Sequence, residues 1–225
     1  MPQIENITVT ITSCGRIDLL KRTIASFLET NTYPIYEYIV INDDPPSKDL
    51  VDEVFANLDN CNCNCRIKII HNTENIGLKR SLDVIFNMVT TEYFFHLEDD
   101  WFFEHKNSYI EDSLTILENS PDIHQVWVRH AHDTPHPVIG VTLTCNGVEH
   151  CELHNDFNGV WNGYSWNPGL RRKSDYIRMF PNGVAEFKSE MECAVHSRKF
   201  NYMVVQLKNT ACYHIGYNRS TCPDG

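Results

Sequence analysis

Three neighbouring carboxylates, Glu98-Asp99-Asp100, follow the apolar run Tyr93 to Leu97 and precede Trp101-Phe102-Phe103. Adjacent carboxylates repel one another unless a cation or solvent compensates. Magnesium and manganese prefer oxygen ligands, often take only one or two carboxylates, and fill their shells with water and phosphate oxygens. The triplet therefore suits a divalent ion, with a solvated acidic turn as the alternative. A second pair, Asp43-Asp44, ends the segment Glu37 to Asn42 and precedes Pro45-Pro46, where a plain turn is the alternative. Glu186 and Glu190 stand four apart, which places them on one helix face. Trp161, Tyr164 and Trp166 lie among Asn162 and Asn167. Rings stack on the apolar faces of sugars and amides bind hydroxyls, so this cluster is an acceptor-site candidate, and core packing explains the tryptophans equally well.

These groups need elements to position them. Ile7, Val9 and Ile11 alternate with threonines, a strand over 7–12. Leu20, Ile24, Phe27 and Leu28 recur at helical spacing, a helix over 18–29. A strand over 37–42, a weak helix over 49–57, a strand over 66–70, a helix over 78–89 and a strand over 93–97 follow. Ser108-x-x-Glu111 has capping-box form and opens a helix that ends before Pro121. Such alternation implies a mainly parallel sheet with helices on both faces and ligand sites beyond the carboxyl ends of its strands. Thr12-Ser13, Asp43-Asp44 and Glu98 to Asp100 all fall at such ends. Beyond about 124 the pattern loosens: strands over 125–129 and 138–144, a Gly/Asn/Trp-rich stretch over 155–170, a helix over 185–199 and a strand over 202–207. One domain spanning 1–225, with two functional halves, is the simplest organisation.

Composition excludes several classes. The 225 residues carry 19 Lys and Arg against 30 Asp and Glu, a formal charge of −11. So acidic a surface repels nucleic acid, although one bound cation reverses the field locally for a small phosphorylated ligand. No run is long and apolar enough to span a membrane, and no export signal is visible. The nine cysteines follow no disulfide spacing and read as reduced thiols of a cytoplasmic protein. Cys61, Cys63 and Cys65 lack the further ligands of a zinc site.

In order and spacing these pieces resemble the GT-A glycosyltransferases, most closely those of family 2. A first strand running into Thr12-Ser13-Cys14-Gly15-Arg16 and a second ending in Asp43-Asp44-Pro45-Pro46-Ser47-Lys48-Asp49 match two of the family's segments. Asn75-x-Gly77 with Arg80 on the next helix, then Glu98-Asp99-Asp100 in place of the "DXD" element, match two more. Ser189-Glu190-Met191-Glu192 falls on the acidic motif that opens a helix, with serine where the family usually has an acid, and His214-Ile215-Gly216 falls on the terminal histidine. Asn167-Pro168-Gly169-Leu170 is similar to a segment of GT-A enzymes encoded by large DNA viruses, for which the cytoplasm is that of the host cell.

The resemblance implies a GT-A fold, with 1–120 holding the nucleotide sugar and 121–225 serving the acceptor and catalysis. It implies an inverting transfer from a nucleotide-diphosphate sugar, UDP before GDP, to a hydroxyl of a glycan or another acceptor. Thr12, Arg16, Asp43, Asp44, Arg80, Glu98 and Asp99 would surround the nucleotide, and Asp100 with His214 would hold Mn2+ or Mg2+. Glu190 would be the base, with Glu186 its competitor, and Trp161, Trp166 and Asn167 would meet the acceptor. A sugar-1-phosphate nucleotidyltransferase shares the strand order, but Cys14-Gly15-Arg16 is too short for its glycine-rich loop. A non-catalytic carbohydrate- or nucleotide-binding module is the alternative outside enzymes.

Overall fold

A computed structural model describes residues 6–56, 65–130, 133, 139–153 and 163–219. Strand β1 (Ile7–Ser13) is buried along its whole length, as a central strand covered on both faces must be. It pairs in parallel with β2 (Glu37–Asn42) on one side and β4 (Tyr93–Glu98) on the other, and β3 (Arg66–His71) continues in parallel beyond β2. Past β4 comes β9 (Gly169–Arg172), antiparallel to β4 and to its next neighbour β6 (Ile123–Trp127). Then come β10 (Met203–Leu207), parallel to β6, and the antiparallel edge of β8 (Val148–Leu153) and β7 (Ile139–Cys145). All strands of this nine-stranded sheet except β8 and β9 run one way. The short strands β5 (Trp101–Phe103) and β11 (Cys212–His214) form a separate ribbon.

Helices cover both faces. Leu20, Ile24 and Phe27 of α1 (Ile17–Thr30), Val51 and Phe55 of α2 (Lys48–Ala56) and Ile110 and Leu117 of α4 (Tyr109–Asn119) pack with Val9, Ile11, Val40 and Phe95. On the other face Leu82, Ile85 and Phe86 of α3 (Leu78–Met88), Tyr176 and Met179 of α5 (Lys173–Met179) and Ala194 of α6 (Glu190–Ser197) pack with Ile39, Ile41 and Phe94. Phe27 alone meets the rings of Tyr38, Phe95, Phe103 and Tyr109 at centroid distances of 5.2 to 6.4 Å. Burial of such a ring stabilises by roughly 2–3 kcal/mol. The α/β expectation therefore holds. So does the common rim: Ser13 sits opposite Asn42, and Thr12 opposite Glu98.

Two local expectations fail for physical reasons. The helix expected over 185–199 begins only at Glu190. Upstream, Gly183 turns the chain at φ +86°, and the amides of Val184 (2.6 Å) and Ala185 (2.9 Å) donate to Asp83, which holds this segment as turns ahead of the helix. Ser189 then caps the helix, accepting from the Glu192 amide at 3.3 Å. The expected capping box at Ser108 does not form, because Ser108 donates to Asp112 at 3.1 Å and Glu111 is engaged by Thr32 at 2.9 Å. Cys145, Cys151, Cys193 and Cys212 are free thiols, as expected, while Cys61 and Cys63 lie outside the described residues.

Candidate active site

Glu98 ends β4, Asp99 and Asp100 form the turn to β5, and α1 pins that turn. Thr23 donates to the Asp99 carbonyl at 2.9 Å and accepts from the Trp101 amide at 3.0 Å. Pairing of β5 with β11 puts His214 opposite Trp101, and the Ile215 amide donates to the Asp100 carbonyl at 2.8 Å. His214 Nε2 thereby reaches Asp100 Oδ2 at 3.0 Å, across a sequence separation of 114 residues. Gly216 packs so tightly on the Asp100 carboxylate that a Cβ there would collide with it. Asp133 fixes the histidine's backbone, accepting from the His214 amide at 2.6 Å and from the Tyr217 hydroxyl. Buried Arg129 donates to the Asp133 carbonyl at 2.8 Å and stacks over Trp101 at 4.8 Å.

The three carboxylates divide their work. Asp99 is fully engaged with Arg16, with the Ser13 hydroxyl at 3.1 Å and with the Cys14 amide at 3.2 Å. Burial lifts its pKa to about 6 against the pull of Arg16. Glu98 is pushed up to about 8 by burial first, then by Asp100, Glu190 and Asp99. For Asp100 burial also acts upward, but the His214 hydrogen bond and the Arg16 charge prevail and hold the pKa below the usual range. Asp100 is thus the member whose anionic form its surroundings favour most. Its Oδ2 is held by Arg16 at 2.6 Å and by His214, while its Oδ1 is buried without a partner. An orphaned anionic oxygen beside an imidazole fits a divalent cation. No group of three His, Cys, Asp or Glu at ligating distance exists among the described residues. A cation here would draw the rest of its shell from water and phosphate, as magnesium commonly does.

Arg16, expected at the nucleotide, lines the cavity but spends its guanidinium on Asp99 and Asp100. The cavity, of about 640 Å³, runs from this centre along Thr12, Ser13 and Cys14 to Asp43, Leu78 and Ser81. Asp43 closes the far end, its carboxylate accepting from Asn72 at 2.7 Å, the Ile76 amide at 2.9 Å and the Gly77 amide at 2.8 Å. Asp44 does not line the cavity. It opens the turn over Pro45–Ser47, its carbonyl accepting from the Ser47 amide, and its carboxylate rests against Gly15. Arg80 is exposed; Leu78 and Ser81 are the residues of α3 that line the cavity.

Among the residues expected to act on the acceptor, Glu190 opens α6 and accepts from the Trp166 amide at 3.1 Å. Burial raises its pKa, opposed by hydrogen bonds from Ser165 and Trp166. Its charge is felt by Glu98. Glu186 is exposed and lies outside the helix, so the two glutamates share no helical face. Trp166 is buried in the core with Tyr164, and neither Trp166 nor Asn167 lines the cavity. Trp161 lies outside the described residues.

The model of "Glycosyl transferase family 2" matches residues 8–175. The chain belongs to this family. No curated protein matches it in sequence. Its fold is similar to that of the mannosyltransferase PcManGT from Pyrobaculum calidifontis, solved with GDP-Man and Mn2+, at a TM-score of 0.67 and 11% identity over 97% of this chain and 59% of that one. TarS 1-349 of S. aureus, solved with UDP, gives a TM-score of 0.65 at 12% identity over 92% of this chain and 60% of that one. TarS 1-349 with UDP-GlcNAc gives 0.64 at 12% identity over 96% and 62%. The chain thus spans about three fifths of these neighbours' length, and the GT-A expectation holds for its fold.

Within this family 2 fold, three contributors escaped the sequence reading. Arg171 is buried in β9 and donates to the carbonyls of Gly169 (3.0 Å), Ser165 (2.7 Å) and Asn167 (2.9 Å), so it shapes the loop whose amide binds Glu190. Asp83 and Asp133 anchor the turns before α6 and after β11. None has a periodic signal. Arg171 opens the basic run Arg171-Arg172-Lys173, a composition that gives no sign of burial.

Proposed function

We propose that this chain transfers a sugar, with inversion, from a nucleotide-diphosphate sugar to a hydroxyl of a glycan or another acceptor. The observation that carries the reading is the orphaned Oδ1 of an anionic Asp100, backed by His214, at one end of a cavity whose other end is closed by Asp43. Residues 1–120 would hold the donor and 121–225 would serve the acceptor. UDP is favoured, because UDP and UDP-GlcNAc occupy TarS, with GDP second, since GDP-Man occupies PcManGT.

Asp100 and His214 would hold the Mn2+ or Mg2+ that neutralises the departing diphosphate as a Lewis acid. Arg16 and Asp99 fix the loop after β1 and the shape of the diphosphate end. Asp43, with three of its lone-pair directions filled, keeps acceptor capacity for an N–H or O–H of the nucleoside. Glu190, held by the Trp166 amide and with its pKa raised by burial, would take the acceptor proton. One base and attack opposite the leaving group give inversion. The core position of Trp166 removes that ring from the acceptor surface, and Glu190 itself does not line the cavity.

Release of UDP or GDP from a panel of sugar nucleotides, with Mn2+ and with and without acceptors, tests the reading. Turnover that disappears in Asp100→Asn supports it. Binding of UDP with no donor consumed and no effect of the substitution leaves a non-catalytic binding module instead.

A further inference from the structure

One exposed aromatic ring stands on the cavity wall. Tyr217 is the one Phe, Tyr or Trp among the described residues that line the cavity, and it is 58% exposed. Its orientation is fixed all the same. The hydroxyl donates to Asp133, and the ring meets that of His214 at 4.8 Å, nearly perpendicular at 84°. The segment that carries it is tied at both ends: the Ile215 amide donates to the Asp100 carbonyl, and Arg219 donates to Asp18 at 2.6 and 2.8 Å. Between these ties the Arg219 amide donates to the Gly216 carbonyl at 3.1 Å, and Asn218 turns the chain at φ +60°. A ring already held in place loses little further freedom when a ligand covers it.

Position says what such a ring meets. Gly216, the preceding residue, packs on the Asp100 carboxylate, so Tyr217 stands at the Asp100 end of the cavity. In a nucleotide-diphosphate sugar the sugar hangs from the second phosphate, so a pyranose lies beyond the diphosphate rather than beside the nucleoside. The C–H face of a pyranose is apolar and suits a broad, rigid aromatic surface, while a nearby amide can serve its hydroxyls. Asn218 lines the cavity next to Tyr217 and supplies that amide. The aromatic-amide pair expected at Trp166-Asn167, which does not line the cavity, thus recurs at Tyr217-Asn218, which does. Resting on the donor reading above, we propose that Tyr217 is a stacking platform for a pyranose ring, with Asn218 hydrogen-bonding that ring's hydroxyls. The pyranose is that of the donor or that of the acceptor, and different probes report the two.

The test compares wild type, Tyr217→Phe and Tyr217→Ala in two arms. Calorimetric titration of UDP, UDP-GlcNAc, GDP and GDP-Man in Mn2+ covers the donor. Ligand-observed NMR with the methyl glycosides of glucose, galactose, mannose and N-acetylglucosamine, with and without UDP, covers the acceptor. Tyr217→Ala should weaken a nucleotide sugar or a methyl glycoside about threefold to tenfold and leave UDP and GDP within about twofold, whereas Tyr217→Phe, which keeps the ring, should stay near wild type. A loss on the nucleotide sugar assigns the platform to the donor, and a loss on the glycoside assigns it to the acceptor; either supports the proposal. Equal weakening of the bare nucleotide puts the contact on the diphosphate and overturns it. So does a loss in Tyr217→Phe as large as in Tyr217→Ala, which would make the tie to Asp133 the operative group. Unchanged binding in Tyr217→Ala overturns it as well. Wild type that binds no nucleotide overturns the donor reading, a separate failure, and the glycoside arm then decides for Tyr217 alone.

Discussion

The two halves of the molecule build their parts of the site differently. In the first, β1, β2 and β4 lie side by side and deliver Thr12, Asp43 and Glu98 to one rim by simple parallel register. In the second, β9 comes late in the chain yet sits between β4 and β6, and Glu190 and His214 are positioned by contacts from residues distant in sequence. A rim made by register tolerates surface change, whereas a geometry made by a few long-range buried anchors weakens when one of them is removed. Substitutions should therefore separate the halves by the kind of damage they do.

The largest effect is expected at the junction of the halves. Asp100→Asn should lower kcat at least a thousandfold and abolish the gain in nucleotide affinity from Mn2+, measured by nucleotide release and by titration. Glu190→Gln should lower kcat by about 10²–10⁴ while leaving UDP affinity near wild type, since it removes only a proton acceptor. Glu186→Gln and Arg80→Gln, both exposed, should stay within twofold in the same assay. If Glu186→Gln instead matches the loss expected for Glu190→Gln, the choice of base is wrong.

The anchors come next. Arg171→Met would remove a donor from three carbonyls, of which that of Ser165 keeps Gln125, and should cost about 1–3 kcal/mol of stability, read by denaturant unfolding. A comparable loss is expected from Gly183→Ala, because alanine is strained at φ +86° and its Cβ would meet the Asp83 carboxylate.

The smallest effect is a pH slope. Glu98 has a folded pKa of about 8, above its ordinary value of 4.5, so the folded state binds the extra proton across that window. Its contribution to stability then falls as pH rises from 4.5 to 8 and is constant outside it. Glu98→Gln should raise the melting temperature in metal-free buffer at pH 8, with the gain shrinking toward pH 5. An equal gain at both pH values contradicts the burial argument.

The same contrast explains what the chain discloses in one dimension. Alternation at Ile7, Val9 and Ile11, and the helical spacing of Leu82, Ile85 and Phe86, are local and match β1 and α3. The pairing of His214 with Asp100 followed from resemblance and holds as a contact, although no local pattern demands it. The helix over 185–199 starts late, at Glu190, because the turn at Gly183 and the anchor of Val184 and Ala185 on Asp83, a hundred residues away, set the preceding segment. Trp166 matched a sugar-binding composition but is core, a distinction that depends on which elements surround it. Arg80 and Leu78 lie two residues apart, and only the docking of α3 decides which one meets the cavity.

The central claim is that a divalent cation on Asp100 joins the donor's diphosphate to the protein. Titration of UDP and GDP into wild type and Asp100→Asn, in Mn2+ and in chelator, tests it directly. At least tenfold tighter binding of one nucleotide with Mn2+ is expected in wild type, and no such gain in the variant. Equal affinity in Mn2+ and chelator for wild type, or an undiminished gain in Asp100→Asn, would contradict it.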